Sequence, residues 1–294
     1  MELEDVLRAI RGARFSDGVR CPRCGGLGCI RWGHGRGRQR YRCGSCRRTF
    51  NDLTGTPAAF TKKLTLWPRY GLSLQACVSV RTAAAHTGIH PTTAFRWRHR
   101  RLAPLYTRDA EVLSGWLELD SAWFRFSEKG KRQLGRPPRP PASREPWPDT
   151  RSGVNVLIAA DRTGHILTEL VGPANSHRIE FEALRRALAD RVVGPLLLVS
   201  DVGPYGPASR LATLTRGEYH DARPGPGAGR DSHLARLDLA REYRTRLYRW
   251  LTPFRGVATR YLPNYLAWHR AIDRPLRNTM TALTLRWPLA SSFG

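Results

Sequence analysis

The chain has 294 residues and a formal net charge of +25, with 49 lysines and arginines against 24 acidic residues. That length predicts two or three folded domains, and a hydrophobic content of 41% excludes a chain that is disordered throughout. No apolar run approaches the roughly 18 residues of a membrane span, and the first residues lack the apolar stretch of a signal peptide. We therefore expect a cytoplasmic protein that does not enter a membrane.

The positive charge is concentrated in three parts of the sequence, Arg31–Arg48, Phe95–Arg101 and Glu128–Arg144. Clustered arginine is typical of proteins that bind polyanions, because each neutralised phosphate releases counterions. A membrane surface is a weaker alternative, since the basic residues do not lie on one long amphipathic helix. Part of the arginine excess can also reflect a GC-rich genome. Nucleic acid is the predicted partner.

The chain begins with a predicted short helix over residues 1–18, followed by a cysteine-rich region up to about residue 50. Apolar residues recur in the helix at helical spacing, at Leu3, Val6, Leu7 and Ile10. Within the cysteine-rich region, CIRWGHGRGRQRYRC predicts two short strands around a glycine-rich turn. The following FNDLTGTP predicts a turn-rich connector.

Four of the six cysteines form the pattern C-x2-C-x18-C-x2-C: Cys21, Cys24, Cys43 and Cys46. Two residues between thiolates let one tight turn place both sulfurs on one ion, and the second pair completes a tetrahedron. The pattern predicts a zinc ribbon with a structural Zn²⁺ whose binding supplies folding free energy. A chance pairing or a redox pair is the weaker alternative. Cys29 and His34 are spare potential ligands.

Arginines recur at alternating positions between the two cysteine pairs, at Arg36, Arg38, Arg40 and Arg42. Alternation places side chains on one face of a strand. We predict that Arg36, Arg38 and Arg40 contact DNA phosphates. A solvated strand face is the alternative.

Residues 67–105 predict three helical pieces, of which the last two resemble a helix-turn-helix. The second piece ends at Gly88, a suitable C-terminal cap, and Pro91 suits the first turn of the third piece. The third helix would present Arg96 and Arg100 outward, and these are the predicted DNA contacts of this segment.

Beyond residue 112 the predicted elements change from helices to strands. GWLELDSAWFRF and VNVLIAADRTGHILTELV are strand-like, and the second folds into a hairpin at Asp161–Gly164. Next comes a predicted amphipathic helix, RIEFEALRRALADRV, which is followed by a buried strand, GPLLLVSD. The last predicted elements are a short strand, EYHDA, and a long helix, DSHLARLDLAREYRTRLYRWL. The basic stretch Lys129–Pro148 predicts a loop. This order predicts an α/β fold with a mixed sheet.

Two carboxylates end apolar strands in this region, Asp120 in LELDSAWF and Asp201 in LLLVSDVG. A carboxylate in that position is costly to bury unless it binds a metal or another partner. Two such acids on neighbouring strands suggest a two-metal phosphodiester site. A turn or helix-cap role is the alternative for each. Glu118 shares a strand face with Asp120 and would support it or be buried and paired.

Several motifs resemble bacterial insertion-sequence transposases of the ISXO2-like group. They are the zinc ribbon with RTFNDLTGTP, AFRWRHRRL, LELDSAWFRFSEKGKR and above all RLYRWLTPFRGVATRYLPNYLAWHR, and the resemblance covers roughly residues 10–272. It implies an N-terminal zinc ribbon and a ribonuclease H-like DDE domain, so the fold class is multi-domain α/β. It also implies strand cleavage and transfer at terminal inverted repeats, target DNA as a partner, and homo-oligomers on DNA. Two Mg²⁺ ions would be held by three acidic or polar residues.

The third metal ligand is where the sequence departs from that family. The register set by the RLYRWLTPFRGVAT block puts Arg241 at the expected position, and arginine cannot ligate magnesium. Glu242 is the predicted third catalytic residue beside Asp120 and Asp201, although one residue turns a helix by about 100°. Asp238 is a second candidate. Ser121 replaces an acid expected after Asp120.

These departures leave several functions open. An active transposase is the favoured interpretation. The alternatives are a decayed copy that still binds DNA, a zinc-ribbon transcription regulator and another ribonuclease H-like nuclease. The predicted segments are residues 1–57 for the helix and ribbon, 58–111 for the helix-turn-helix-like part, 112–275 for the catalytic domain and 276–294 for a tail.

Overall fold

The structure, a computed structural model, divides the chain into two compact units, one built on residues up to Leu105 and one on Tyr106–Arg270. The predicted boundary at residue 57 falls inside the first unit. The predicted tail 276–294 and much of the basic loop lie outside the described residues. Those residues are 2–108, 112–134, 153–174, 180–201, 206–222 and 237–273.

Along the chain, the first unit consists of one helix, a small antiparallel sheet and three further helices. Its strands follow the order β1-β2-β3. Its elements are α1 (Leu3–Arg14), β1 (Cys29–Gly35), β2 (Arg38–Cys43), β3 (Thr49–Asn51), α2 (Trp67–Gln75), α3 (Val80–Thr87) and α4 (Pro91–Arg108).

Helix α1 is held against the ribbon through Asp52, which is fully buried. Its carboxylate accepts hydrogen bonds from Arg11 on α1 at 3.1 Å and from the Tyr41 hydroxyl on β2 at 3.0 Å. Tyr41 also stacks on Phe50 of β3, with ring centroids 5.4 Å apart. The segment predicted as a connector therefore begins with a short third strand, whose Phe50 completes the small core.

Helices α3 and α4 follow each other across a short turn, at the positions where a helix-turn-helix is predicted. The Ser79 hydroxyl caps α3 by accepting from the Thr82 amide, and Gly88 ends it with a left-handed φ of 71°. Helix α4 starts at Pro91. Its Trp97 is buried edge-on against Trp67, with ring centroids 5.1 Å apart.

The second unit is a five-stranded mixed sheet with helices on both faces. The strand order is β6-β5-β4-β7-β8, in which β4, β7 and β8 are parallel and β5 runs antiparallel to β4 and β6. The elements are β4 (Leu113–Arg125), β5 (Gly153–Asp161), β6 (Ile166–Ala174), α5 (Phe181–Leu188), β7 (Val192–Ser200), α6 (Pro207–Leu214), β8 (Glu218–Asp221), α7 (Asp238–Leu251) and α8 (Leu262–Asp273).

The two faces of this sheet have separate cores because strand residues alternate. On one face Leu117, Leu157 and Leu198 pack with residues of α5 and α6, including Leu184 and Leu211. On the other face Ala122, Val156 and Ile158 pack with residues of α7 and α8, including Tyr243 and Leu266. The prediction of a zinc-ribbon-like part and a ribonuclease H-like mixed sheet is confirmed.

The hairpin predicted at Asp161–Gly164 is also present. The Asp161 carboxylate accepts from the amides of Thr163 and His165, each at 2.9 Å. These bonds explain why this acid belongs to a turn.

Candidate functional site

The four predicted zinc ligands converge in the first unit. The sulfurs of Cys21, Cys24, Cys43 and Cys46 all lie within 4.8 Å of one another. The Sγ atoms of Cys21 and Cys46 are 3.6 Å apart, and so are those of Cys24 and Cys43. Zinc–sulfur bonds of about 2.3 Å put tetrahedral sulfurs about 3.8 Å apart. The four cysteines can therefore bind a metal such as zinc.

The backbone around each cysteine pair makes the tight turn that the spacing requires. In the first pair, the Gly25 amide donates to the Cys21 carbonyl at 3.0 Å, and Gly25 has a left-handed φ of 71°. In the second pair, the Cys46 amide donates to the Cys43 sulfur at 3.5 Å. This backbone hydrogen bond is the main cause that lowers the pKa of Cys43 to about 6. Burial, together with the neighbouring cysteines, raises the pKa of Cys46 to about 12.

Cys29 and His34, the spare potential ligands, are not part of this group. The Cys29 thiol donates instead to the Gly26 carbonyl at 3.5 Å. Burial raises the pKa of Cys29 to about 11, which favours the neutral thiol. A metal bound here would have four sulfur ligands and no open position for catalysis.

The ribbon arginines do not all have the same surroundings. Arg40 is exposed on β2, and Arg36 is exposed in the turn before β2. Arg42 lies over the ring of Trp32, 4.6 Å from its centroid. Arg38 is half-buried and donates to the Thr61 carbonyl at 3.3 Å. Arg36 and Arg40 are therefore the more accessible of the predicted phosphate contacts.

The arginines of α4 divide in a similar way. Arg96 is exposed, whereas Arg100 donates to the Ala59 carbonyl. Arg38 and Arg100 thus hold the same turn, Ala59–Thr61, from the ribbon and from α4. Nothing in the sequence indicates this role, because it depends on carbonyl groups that come together only in the folded unit.

In the second unit, Asp120 and Asp201 lie on neighbouring strands. Parallel pairing sets Glu118 of β4 opposite Val199 of β7. Continuing this register by two residues puts Asp201, which follows the last residue of β7, opposite Asp120. Neighbouring strands are about 4.8 Å apart. The two acids therefore lie side by side just beyond the last paired residues of β4 and β7, a place that we call the acid edge.

Both acids are paired with arginines of α7. Asp120, whose side chain is 3% exposed, accepts from Arg244 at 2.7 Å. Its second carboxylate oxygen is buried without a hydrogen-bond partner. Burial, and to a smaller extent the charge of Asp201, raise the pKa of Asp120 although Arg244 opposes them. Asp201 is 42% exposed and accepts from Arg241 at 3.2 Å.

Helix α7 is fixed beside β4 by three contacts. The Glu118 carboxylate accepts from the Ala240 amide at 3.0 Å, which caps the first turn of the helix. Arg244 binds Asp120, and the Tyr248 hydroxyl donates to the Trp123 carbonyl at 2.9 Å. Glu118 is therefore buried and paired, one of the two roles considered for it.

Because these contacts fix the rotation of α7 about its axis, Glu242 points away from the acid edge. Its side chain is 70% exposed and lies 3.8 Å from Arg246. Asp238, the other candidate for the third ligand, is exposed in the first turn of the helix. Arg241 is the α7 residue that contacts Asp201. The catalytic role of Glu242 stays a prediction.

The acid edge does not fit the predicted pair of Mg²⁺ ions. It presents two carboxylates together with two guanidinium groups, so its charges nearly cancel. Within the described ranges, the four cysteines are the only group of three or more His, Cys, Asp or Glu side chains close enough to share one ion. A two-ion magnesium site needs further oxygen ligands.

The fold and the cysteine cluster define a protein that joins a zinc-ribbon-like unit to a ribonuclease H-like unit. No protein-family profile matches the chain. It is 28% identical over 264 residues to a protein of Halobacterium salinarum named "Uncharacterized protein in transposable element ISH50". The alignment covers 86% of this chain and 84% of that protein, so it includes most of both units. This similarity supports a transposase-like identity.

Within the part of the chain that the structure describes, every helix is too short or too polar to cross a bilayer.

Proposed function

We propose that this chain is an insertion-sequence transposase of the zinc-ribbon, ribonuclease H-like kind, which binds the ends of its own element. The observation that carries the proposal is the similarity to the ISH50 protein over 86% of this chain. The four-cysteine cluster and the order of the five-stranded sheet support it, because the resemblance in the sequence implies both features.

In this proposal the first unit binds the terminal repeats. The exposed residues Arg36, Arg40 and Arg96 contribute phosphate contacts, and the net charge of +25 makes binding strongly dependent on salt. Arg38 and Arg100 would act by holding the turn between the ribbon and α4. The assembly of several copies on one DNA, which the resemblance implies, is part of the proposal.

The second unit would act on the DNA strand at the acid edge, with Asp120 and Asp201 as its catalytic residues. The resemblance assigns cleavage and strand transfer to this unit. The residues present at the acid edge do not fit two magnesium ions. Strand transfer would require Arg241 and Arg244 to release the two carboxylates.

A second candidate is an inactive copy that has kept DNA binding. The observation that favours it is the contact of Arg241 with Asp201 at 3.2 Å, since a guanidinium stands where a metal ligand is needed. A zinc-ribbon regulator has less support, because regulation of transcription does not require a ribonuclease H-like sheet that carries two acids side by side.

The experiment uses the full-length, zinc-loaded protein with duplex DNA from the element ends and with unrelated duplex DNA. Preferential binding of the ends, weakened in Arg96→Ala but not in Arg246→Ala, is expected. Cleavage of element-end DNA that disappears in Asp120→Asn, while binding is retained, identifies an active enzyme. Binding without cleavage identifies the inactive copy. Equal affinity for both DNAs would overturn the proposal.

A further inference from the structure

The second unit contains a cavity of 590 Å³ beside the end of β4. One wall is formed by the end of this strand and the segment after it, from Phe124 to Leu134. The other is formed by the end of α7 and the turns that follow, from Tyr248 to Leu262. A pocket of this volume is in the range that takes a small organic ligand.

The walls of the cavity are aromatic and aliphatic. Phe124 packs on Tyr248 with ring centroids 5.3 Å apart, and Phe126 is 39% exposed. Leu251 and Val257 add apolar surface. Flat ligands with a π face bind well between such side chains.

The cavity is held open by hydrogen bonds between its two walls. The Ser127 amide donates to the Thr259 hydroxyl, and the Thr259 amide donates to the Ser127 carbonyl, both at 2.8 Å. The Lys129 ammonium donates to the carbonyls of Arg255 and Gly256 at 2.9 and 3.0 Å. These contacts fix the shape of the cavity before any ligand binds, which lowers the entropic cost of binding.

The charge of the cavity is positive. Arg125, Lys129 and Lys131 line it together with one acid, Glu128. Lys131 pairs with Glu128 at 2.8 Å. Arg125 is exposed, and the contacts of Lys129 with backbone carbonyls do not cancel its charge. An apolar cavity with excess cations fits a ligand that has a flat ring and an anionic group.

The cavity lies along the seam between β4 and α7 that begins at the acid edge. Asp120 and Phe124 lie on the same face of β4, four residues apart, which is about 14 Å along a strand. On α7, Arg244 contacts Asp120, and Tyr248, one turn further, packs on Phe124. A DNA strand that crosses Asp120 can therefore continue to the cavity.

We propose that this cavity receives one unstacked base of a DNA strand, which Phe124 and Phe126 contact while Arg125 and Lys129 bind neighbouring phosphates. Stacking on aromatic rings accepts any base, so the site would hold an opened strand without reading its sequence. This inference rests on the proposed function, since it takes DNA as the substrate of the second unit.

The test measures binding of a fluorescent single-stranded oligonucleotide and of duplex element-end DNA to the full-length, zinc-loaded protein. Phe126→Ala should weaken single-strand binding about tenfold and leave duplex binding unchanged, because the duplex is held by the first unit. Leu214→Ala removes a comparable exposed apolar side chain, 65% exposed on α6, and should change neither affinity.

A second variant, Arg125→Gln, guards against a folding defect in Phe126→Ala. This variant keeps the apolar walls of the cavity. It should lower the slope of log affinity against log salt concentration for single-strand binding by about 1, the value of one lost phosphate contact. The cavity proposal alone would be overturned if the unaltered protein binds the duplex but neither variant changes the affinity for single-stranded DNA. Failure of the unaltered protein to prefer element ends would overturn the proposed function instead.

Discussion

At the scale of single residues, the charge at position 241 decides what the acid edge can bind. Arg241 contacts Asp201 from a helix whose register is fixed by Glu118, Arg244 and Tyr248. Bringing Glu242 to the same place would require a rotation of about 100° and the loss of those three contacts. A change of the residue itself is therefore the direct way to change the site.

Arg241→Glu should create a divalent-cation site that the unaltered protein lacks. A carboxylate at this position would lie beside Asp201 and give the edge three acids, which hard cations such as Mn²⁺ prefer. Titration of zinc-loaded protein with Mn²⁺, followed by electron paramagnetic resonance of the free ion, should show one additional bound ion. Arg246→Glu makes the same charge change on an exposed part of α7 and should show none. Mn²⁺ binding by the unaltered protein that Asp120→Asn removes would contradict this prediction.

At the scale of elements, α1 depends on one buried acid. Asp52→Ala would leave Arg11 and the Tyr41 hydroxyl without their shared partner. It should lower the free energy of unfolding of the first unit by about 2–3 kcal/mol. Chemical denaturation followed by circular dichroism measures this change.

The matched control for that change is Glu4→Ala. Glu4 lies 3.7 Å from the same arginine, but it is 59% exposed. Its loss should change the free energy of unfolding by less than about 0.5 kcal/mol. Equal stability of Asp52→Ala and the unaltered protein would show that the buried pair does not hold α1.

Structural elements that depend on residues close together in the sequence were predictable. The spacing of the cysteines fixes two tight turns, Gly88 and Pro91 fix the ends of two helices, and the Asp161 turn fixes a hairpin. The short strand β3 and the helices α6 and α8 were not foreseen. Strand β3 and helix α6 are brief, and β3 exists because it pairs with β2.

Contacts between distant residues were not predictable in this way. Nothing in the sequence around Arg100 indicates the Ala59 carbonyl, 41 residues away. The partner of Glu118 is likewise 122 residues further along the chain. The closeness of Asp120 to Asp201 could be expected, since each comes after an apolar run. The structure differs from the prediction in one respect, because β4 continues to Arg125 and Asp120 therefore lies inside the strand and not at its end. The arginines that neutralise the two acids could not be expected.

At the scale of the whole molecule, the ribbon and the second unit have different sources of stability. The second has an extensive apolar core on each face of its sheet, whereas the ribbon core consists of few residues around four cysteines. Small units of this kind take much of their folding free energy from bound metal.

Cys43→Ser should therefore remove about one zinc ion per chain and abolish binding of element ends, while the second unit stays folded. Metal analysis and thermal unfolding measure the two effects, and the unfolding of the second unit should remain as a separate cooperative transition. Cys77→Ser, a change outside the cluster, should keep the zinc. A full zinc content in Cys43→Ser would contradict the four-sulfur site.

The turn Ala59–Thr61 has a consequence for how this protein could be recombined with its relatives. Arg38 reaches the turn from the ribbon and Arg100 reaches it from α4, so each part supplies a donor to the same short stretch of backbone. A graft of the ribbon alone onto a foreign helical segment would leave a carbonyl without its donor. Chimeras that exchange DNA-end specificity should therefore keep their fold when residues 2–105 are transferred as one block.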